Sequence, residues 1–178
     1  MSFKKIITGL TLSLLLGSGV AVAADYDKGL LAYQSGDFKT ALAEWTPLAE
    51  QGNAIAQSNL GLMYGEGEGV PENDKTAVKW FTKAAEQGNA VAQLNLGIKY
   101  SNGYGVPENN KTAIKWFTKA AKQGIAIAQT YLGLMYKIGE GVLTDTKRAY
   151  MWYNLASYNG YERAGENKDK IAKQMTPA

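Results

Sequence analysis

The sequence predicts an all-helical solenoid of stacked αα-hairpins. Three observations point there: an internal repeat of constant period, helical spacing of apolar residues within each copy, and Gly/Pro-rich breaks between the helices. Residues 54–89 and 90–125 are identical at 25 of 36 positions, and 126–161 continues in register without a gap. A period of 36 residues is the length of one helix–turn–helix unit, and such a unit cannot bury its apolar face alone. Stacked neighbours bury it, which is how solenoids are built. Ala and Gly are abundant and Val and Ile are sparse after the first twenty-odd residues, which favours close-packed helices over sheets.

The chain opens with Lys4 and Lys5, an uncharged apolar stretch from Ile6 to Val20, and Ala21-Val22-Ala23. This is the three-part pattern of a secretory signal peptide, with cleavage expected before Ala24. The apolar run is short for a span of about 20 residues, and no Cys is present to carry a lipid. The mature chain, 24–178, is expected in the periplasm, or alternatively outside the cell, without a membrane span.

An opening unit, 25–53, follows: a helix from Tyr26 to Ser35, a turn at Gly36-Asp37, and a helix from Phe38 to Gln51. Ala41, Trp45, Leu48 and Ala49 form the second helix's apolar stripe, and Pro47 removes one hydrogen bond from it. In the unit 54–89, Ala56, Leu60 and Tyr64 fall four apart on a first helix, with Gln57 and Gly61 beside them. Ala77, Trp80, Phe81, Ala84 and Ala85 mark a second, strongly amphipathic helix. Gly65 to Pro71 separate the two. Asn73 or Asp74 is placed to cap the second helix and Gly88 to end it. Units 90–125 and 126–161 repeat this plan. Residues 161–175 form a capping helix, polar on its outer face, and Thr176-Pro177-Ala178 should fray. Gly61, Gly97 and Gly133 stand mid-helix, where glycine costs about 0.5–1 kcal/mol relative to alanine. Their recurrence predicts close helix approach. The column Trp80, Trp116, Trp152 is expected in the core.

The pattern Ala54-x-Ala56, Leu60-Gly61, Tyr64, Gly67-x-Gly69-Val70, Lys75-x-Ala77, Trp80, Ala84 and Gly88, recurring twice, resembles the Sel-1-like repeat family. The opening unit is closer to a tetratricopeptide repeat. The resemblance covers nearly all of 26–161 and implies a right-handed solenoid. It also implies an adaptor role in protein complexes, often in the bacterial envelope or in host contact. A few cysteine-rich secreted members are linked to β-lactam hydrolysis. Their cysteine-stapled helices are missing here, and that activity is not carried over.

Comparing the copies separates scaffold from specificity. Positions 55, 58, 59, 62 and 63 and their equivalents lie away from the Ala56–Leu60–Tyr64 face. Resemblance to tetratricopeptide domains implies that first helices line the concave groove, where Asn side chains can hold a peptide backbone. On that reading Asn59, Asn95 and Tyr131 supply hydrogen bonds to a protein or peptide partner. Leu94, Ile98 and Met135 supply apolar contact. The competing reading is that much of this stripe packs on the next unit.

Composition argues against catalysis. There is no Cys and no His, so the commonest thiol, general-base and metal-ligand chemistries are missing. The Gly-rich loops lack the Lys-Ser/Thr ending of a phosphate cradle. Glu66 and Glu68 become Asn102 and Tyr104 in the next copy, so neither a repeated metal site nor a cofactor is expected. After leader removal 17 basic face 16 acidic residues, too balanced for nucleic acid. Lys75, Lys79 and Lys83, with Lys111, Lys115 and Lys119, read as a solvated outer face, or as an attraction to an acidic envelope polymer. The expectation is a non-catalytic adaptor of the envelope. A cell-wall or β-lactam hydrolase and a self-associating structural protein stand as alternatives.

Overall fold

A computed structural model describes residues 24–175; residues 1–23, where a leader is expected, and residues 176–178 lie outside it. Among the described residues there are nine helices and no strand: α1 Tyr26–Gln34, α2 Phe38–Glu50, α3 Ala54–Glu66, α4 Asp74–Glu86, α5 Ala90–Asn102, α6 Asn110–Lys122, α7 Ala126–Ile138, α8 Thr146–Tyr158 and α9 Glu162–Met175. Each helix packs on the one before and the one after, and α3 also reaches α5. This is an all-α solenoid of four hairpins closed by α9. None of these helices is long and apolar enough to cross a membrane.

The expected caps form. Asn73 and Asn109 accept the backbone N–H of Thr76 and Thr112 and open the second helices; Asp145 does the same for Arg148. Asn53 and Asn89 cap α3 and α5, but Ile125 stands at that place before α7 and offers no side-chain bond. Ile125 packs on the core of its unit instead. The long loops are closed by one recurring bond: Asn73 N–H to Tyr64 O, Asn109 N–H to Tyr100 O and Asp145 N–H to Tyr136 O, at 2.7–2.8 Å. Within the loops, Gly69, Gly105 and Gly141 have φ near +70°. Each lies against the start of the second helix of the preceding unit, at Phe38, Asp74 and Asn110 respectively. A side chain there would be strained by the backbone angle and would collide with the neighbouring chain.

The mid-helix glycines are explained by rings. A Cβ on Gly61 would lie 2.6 Å from Phe81, and one on Gly133 2.8 Å from Tyr153; Gly97 meets Phe117 in the same way. The opening unit repeats the device, since Gly29 abuts the Trp45 indole at 2.5 Å. The core aromatics are therefore Phe81, Phe117 and Tyr153, one residue beyond the tryptophans. Trp80, Trp116 and Trp152 are only half-buried, which corrects their assignment to the core. With the ring at the next position facing the glycine, helical rotation of about 100° per residue turns each Trp toward the rim. Trp45 is the exception: it is fully buried, and its Nε1 donates to Tyr26 O.

A second recurring device joins the hairpins. Gln57, Gln93 and Gln129 are buried, and their Nε2 atoms donate to Ala49 O, Ala85 O and Ala121 O on the preceding helix at 2.9–3.1 Å. Their Oε1 atoms accept from Gln87, Gln123 and Asn159 at the end of the following helix at 2.7–3.0 Å. One carboxamide thus ties three consecutive helices, with both its nitrogen and its oxygen bonded. Pro47 sits within α2 without ending it. At the far end α9 buries Ala164 and Ile171 against α8, and its remaining surface is largely polar.

Candidate protein-binding face

The first helices α3, α5 and α7 carry the residues expected to recognise a partner. Their outward stripe has the i, i+4, i+7 spacing of one helix face: Ile55, Asn59, Leu62; Val91, Asn95, Ile98; Ile127, Tyr131, Leu134. Ile55, Val91 and Ile127 are exposed in register on three successive helices. Nothing in the fold demands an apolar residue there, since these side chains are not covered.

The predicted site residues separate into three groups. Asn59 and Asn95 are half-buried. Asn59 Nδ2 donates to the Tyr26 hydroxyl at 3.3 Å, and Asn95 Nδ2 donates to Val91 O one turn back at 2.9 Å. A carboxamide has two donors and a carbonyl, so each keeps capacity beyond the bond it makes. Tyr131 stacks on Phe117 with ring centroids 4.7 Å apart and planes 3° from parallel. Its ring is a structural part of the unit boundary as well as a wall of a small cavity of about 130 Å³ shared with Ile127, Thr130, Leu134 and Tyr161. Asn59 lines the counterpart at the other end, about 110 Å³, with Tyr26, Leu30, Tyr33, Trp45 and Leu62.

Leu94 and Ile98 are half-buried and pack on the core shared by α6 and α7. Met135 is 2% exposed and belongs to that core, so it presents nothing to a partner. The same is true of Met63, and Ser58 is buried too. The error has a physical source. Met63 packs on the core of the preceding hairpin, and a solenoid helix is covered on both sides.

At the register position of Met63 and Met135 the middle unit carries Lys99. Its ammonium is paired with Asp74 of α4, across the unit boundary, and both side chains are largely buried. Another deeply held carboxylate is Glu44, which accepts from Lys28 Nζ at 2.6 Å and from Asp25 N–H at 2.9 Å. Hydrogen bonding to Lys28 and to that backbone group holds the Glu44 carboxyl below its ordinary value, and the same partner raises Lys28. Thr40, capped by Asp37, lowers Asp37. Glu68, first as hydrogen-bond partner and then with burial and charge, pushes the Tyr33 hydroxyl up to about 12. Burial raises Tyr153. Each of these shifts follows from a contact that holds the scaffold. Among the described residues no cluster of His, Cys, Asp or Glu could hold a metal ion.

Two larger grooves lie elsewhere, on the second helices, and repeat one period apart. One, of about 600 Å³, is lined by Tyr64, Thr76, Val78, Lys79, Trp80, Thr82 and Lys83. The other, about 650 Å³, uses the equivalents Tyr100, Thr112, Ile114, Lys115, Trp116, Thr118 and Lys119. Lys83 Nζ sits 4.4 Å over the Trp80 ring, and Lys119 Nζ 4.2 Å over Trp116. The signal was present in the sequence as Trp-x-x-Lys, since i, i+3 residues on a helix are neighbours.

Known proteins match this architecture. The model of the Sel1 repeat matches residues 54–89, 90–125 and 126–161. Repeats of this kind generally serve as non-catalytic scaffolds for protein–protein interaction. A Sel1 repeat protein from Oxalobacter formigenes is similar at a TM-score of 0.78 and 35% identity over 81% of this chain and 59% of its own. A protective antigen of uropathogenic Escherichia coli, c5321, which displays the Sel-1-like fold, is similar at 0.75 and 38% over 78% of this chain. This chain spans 31% of that antigen's length. The cysteine rich protein B of Helicobacter pylori shares the fold at 0.59, with 22% identity over 73% of this chain and 93% of its own. No curated protein matches the sequence. Three tandem matches span more than half of the residues, and the chain belongs to the Sel1 repeat family.

Proposed function

We propose that this chain is an exported, non-catalytic adaptor of the bacterial envelope that holds a segment of a partner protein along α3, α5 and α7. The observation that carries the reading is the column Ile55, Val91 and Ile127, aliphatic and exposed on three successive helices, with Asn59, Asn95 and Tyr131 one turn away. An exposed aliphatic column beside amide and phenol groups suits a peptide that offers side chains to the first and backbone to the second. Export rests on the leader pattern at 1–23, and the periplasm is the compartment we propose for the working protein.

The test is affinity capture from envelope extract with wild-type mature chain and with a variant carrying Ile55→Lys, Val91→Lys and Ile127→Lys. These side chains are exposed, so the variant keeps its core, whereas Tyr131→Ala would remove a ring stacked on Phe117. A partner held by the wild type and lost by the variant supports the face; equal capture moves the site elsewhere. Cell fractionation with N-terminal mass analysis tests export: a periplasmic chain beginning at Ala24 is expected, and an uncleaved cytoplasmic chain refutes it.

A further inference from the structure

The internal repeats act as controls for one another on the second helices. Lys79 and Lys115 become Met151 in the third copy. Lys83 and Lys119 become Leu155, and Glu86 and Lys122 become Tyr158. All nine side chains are exposed; Met151 is 49%, Leu155 37% and Tyr158 87% accessible. Met151, Leu155 and Tyr158 stand at i, i+4 and i+7, so they form one stripe on α8. Two copies carry a charged residue at every one of these places, so the scaffold needs nothing apolar there, and α9 packs on α8 without covering the stripe. Leu143, in the loop leading into α8, is also exposed where the other copies have Pro71 and Pro107.

Charge is segregated in the same direction. Helices α4, α6 and α8 hold nine basic residues and two acidic ones, Asp74 and Glu86, and Asp74 is already paired with Lys99. The rest of 24–178 holds eight basic and fourteen acidic residues. The near-neutral total hides a cationic side. Lys75, Lys79, Lys83, Lys111, Lys115, Lys119 and Lys122 are all exposed there. Lys83 and Lys119 lie over half-buried tryptophans, a pairing of ring and cation that suits a water–hydrocarbon boundary.

We infer that the outward face of α4, α6 and α8 docks on an anionic lipid surface, with lysines on the headgroups and Met151, Leu155 and Tyr158 entering the interface. The cations are attracted by the negative surface potential, and the apolar stripe supplies burial that a purely electrostatic contact lacks. A lipid surface fits better than a protein groove-binder because the apolar side chains protrude. Tyr158 stands almost free, and protein anchors instead fill pockets. A fluid surface deforms around protruding side chains. This face is separate from the first-helix column and does not depend on it.

The test is flotation of the mature chain with vesicles of phosphatidylglycerol and phosphatidylcholine, and with phosphatidylcholine alone. The informative variant is Met151→Lys with Leu155→Lys. It installs the residues the other copies carry, so it should fold, and circular dichroism checks that it does. It also adds two positive charges. Wild type should float with anionic vesicles, lose binding at high salt, and ignore neutral ones. The variant should bind about tenfold more weakly despite its added charge. A variant that binds equally or better overturns the proposal, as does a wild type that floats with neither vesicle. A wild-type dimer that the variant dissolves in light scattering also overturns it, by assigning the stripe to a second copy of the chain.

Discussion

Alanine replacing glycine inside a helix ordinarily adds about 0.5–1 kcal/mol of stability, because the unfolded chain loses freedom and the helix gains nothing to clash with. At Gly61, Gly97 and Gly133 the sign should invert. A methyl on Gly61 would lie 2.6 Å from the Phe81 ring and one on Gly133 2.8 Å from Tyr153, where carbon atoms prefer about 3.5–4.0 Å. Phe81, Phe117 and Tyr153 are each at most 1% exposed, so no ring can swing into solvent. The hairpin must spread, and overpacking of this kind costs about 1–3 kcal/mol. Set against the propensity gain, the net loss is up to about 2.5 kcal/mol. For a chain of this size that lowers the midpoint of thermal unfolding by up to about 10 °C. Gly165→Ala, in α9, is the control. Its methyl would meet only the Ser157 hydroxyl, at 3.2 Å, which rotates away, so stability should stay level or rise. Thermal melts followed by circular dichroism decide it. A rise in midpoint for Gly61→Ala or Gly97→Ala would show that the rings yield freely and that the packing argument is wrong.

Two further outcomes follow from the boundary between units. Lys99→Met alone strands Asp74 and should cost about 1–3 kcal/mol, whereas Lys99→Met with Asp74→Asn recreates the Met135 and Asn110 pairing of the next boundary and should recover most of it; urea unfolding of the four-member cycle should give a coupling of about 0.5–3 kcal/mol, and additive losses would refute direct pairing. Tyr33 should titrate well above a free phenol, because its hydroxyl is hydrogen-bonded to Glu68 across the same kind of boundary. Because its folded value lies above that of a free phenol, its contribution is complete below about pH 10 and fades as pH rises toward about 12. Phenolate absorbance should show late-titrating groups, one of which Tyr33→Phe removes.

The sequence alone told which segments are helices, because a repeat supplies three trials of each signal. Asn73, Asn109 and Asp145 before the second helices, and Gly67, Gly103 and Gly139 after the first, punctuate every copy at the same places. The mid-helix glycines foretold close approach but not the ring that fills the space. Periodicity marks a face and not the rotation that separates Trp80 from Phe81. The role of Gln57 and its counterparts was not legible, since a polar residue on an apolar face becomes meaningful only once the carbonyl of Ala49 is seen beside it. Met135 was misplaced for the opposite reason: one helix cannot show that a second hairpin covers its far side. The face of α8 required both levels, the copies to show what changed and the structure to show that Met151 and Tyr158 stay uncovered.

The contact of Gly69, Gly105 and Gly141 with Phe38, Asp74 and Asn110 runs one way along the chain. Each of the three long loops seats on a helix made earlier. A polypeptide that emerges from its amino terminus, whether from a ribosome or through a membrane pore, therefore meets each docking surface already built. Assembly can keep pace with emergence, and no unit has to remain open until the last residue arrives.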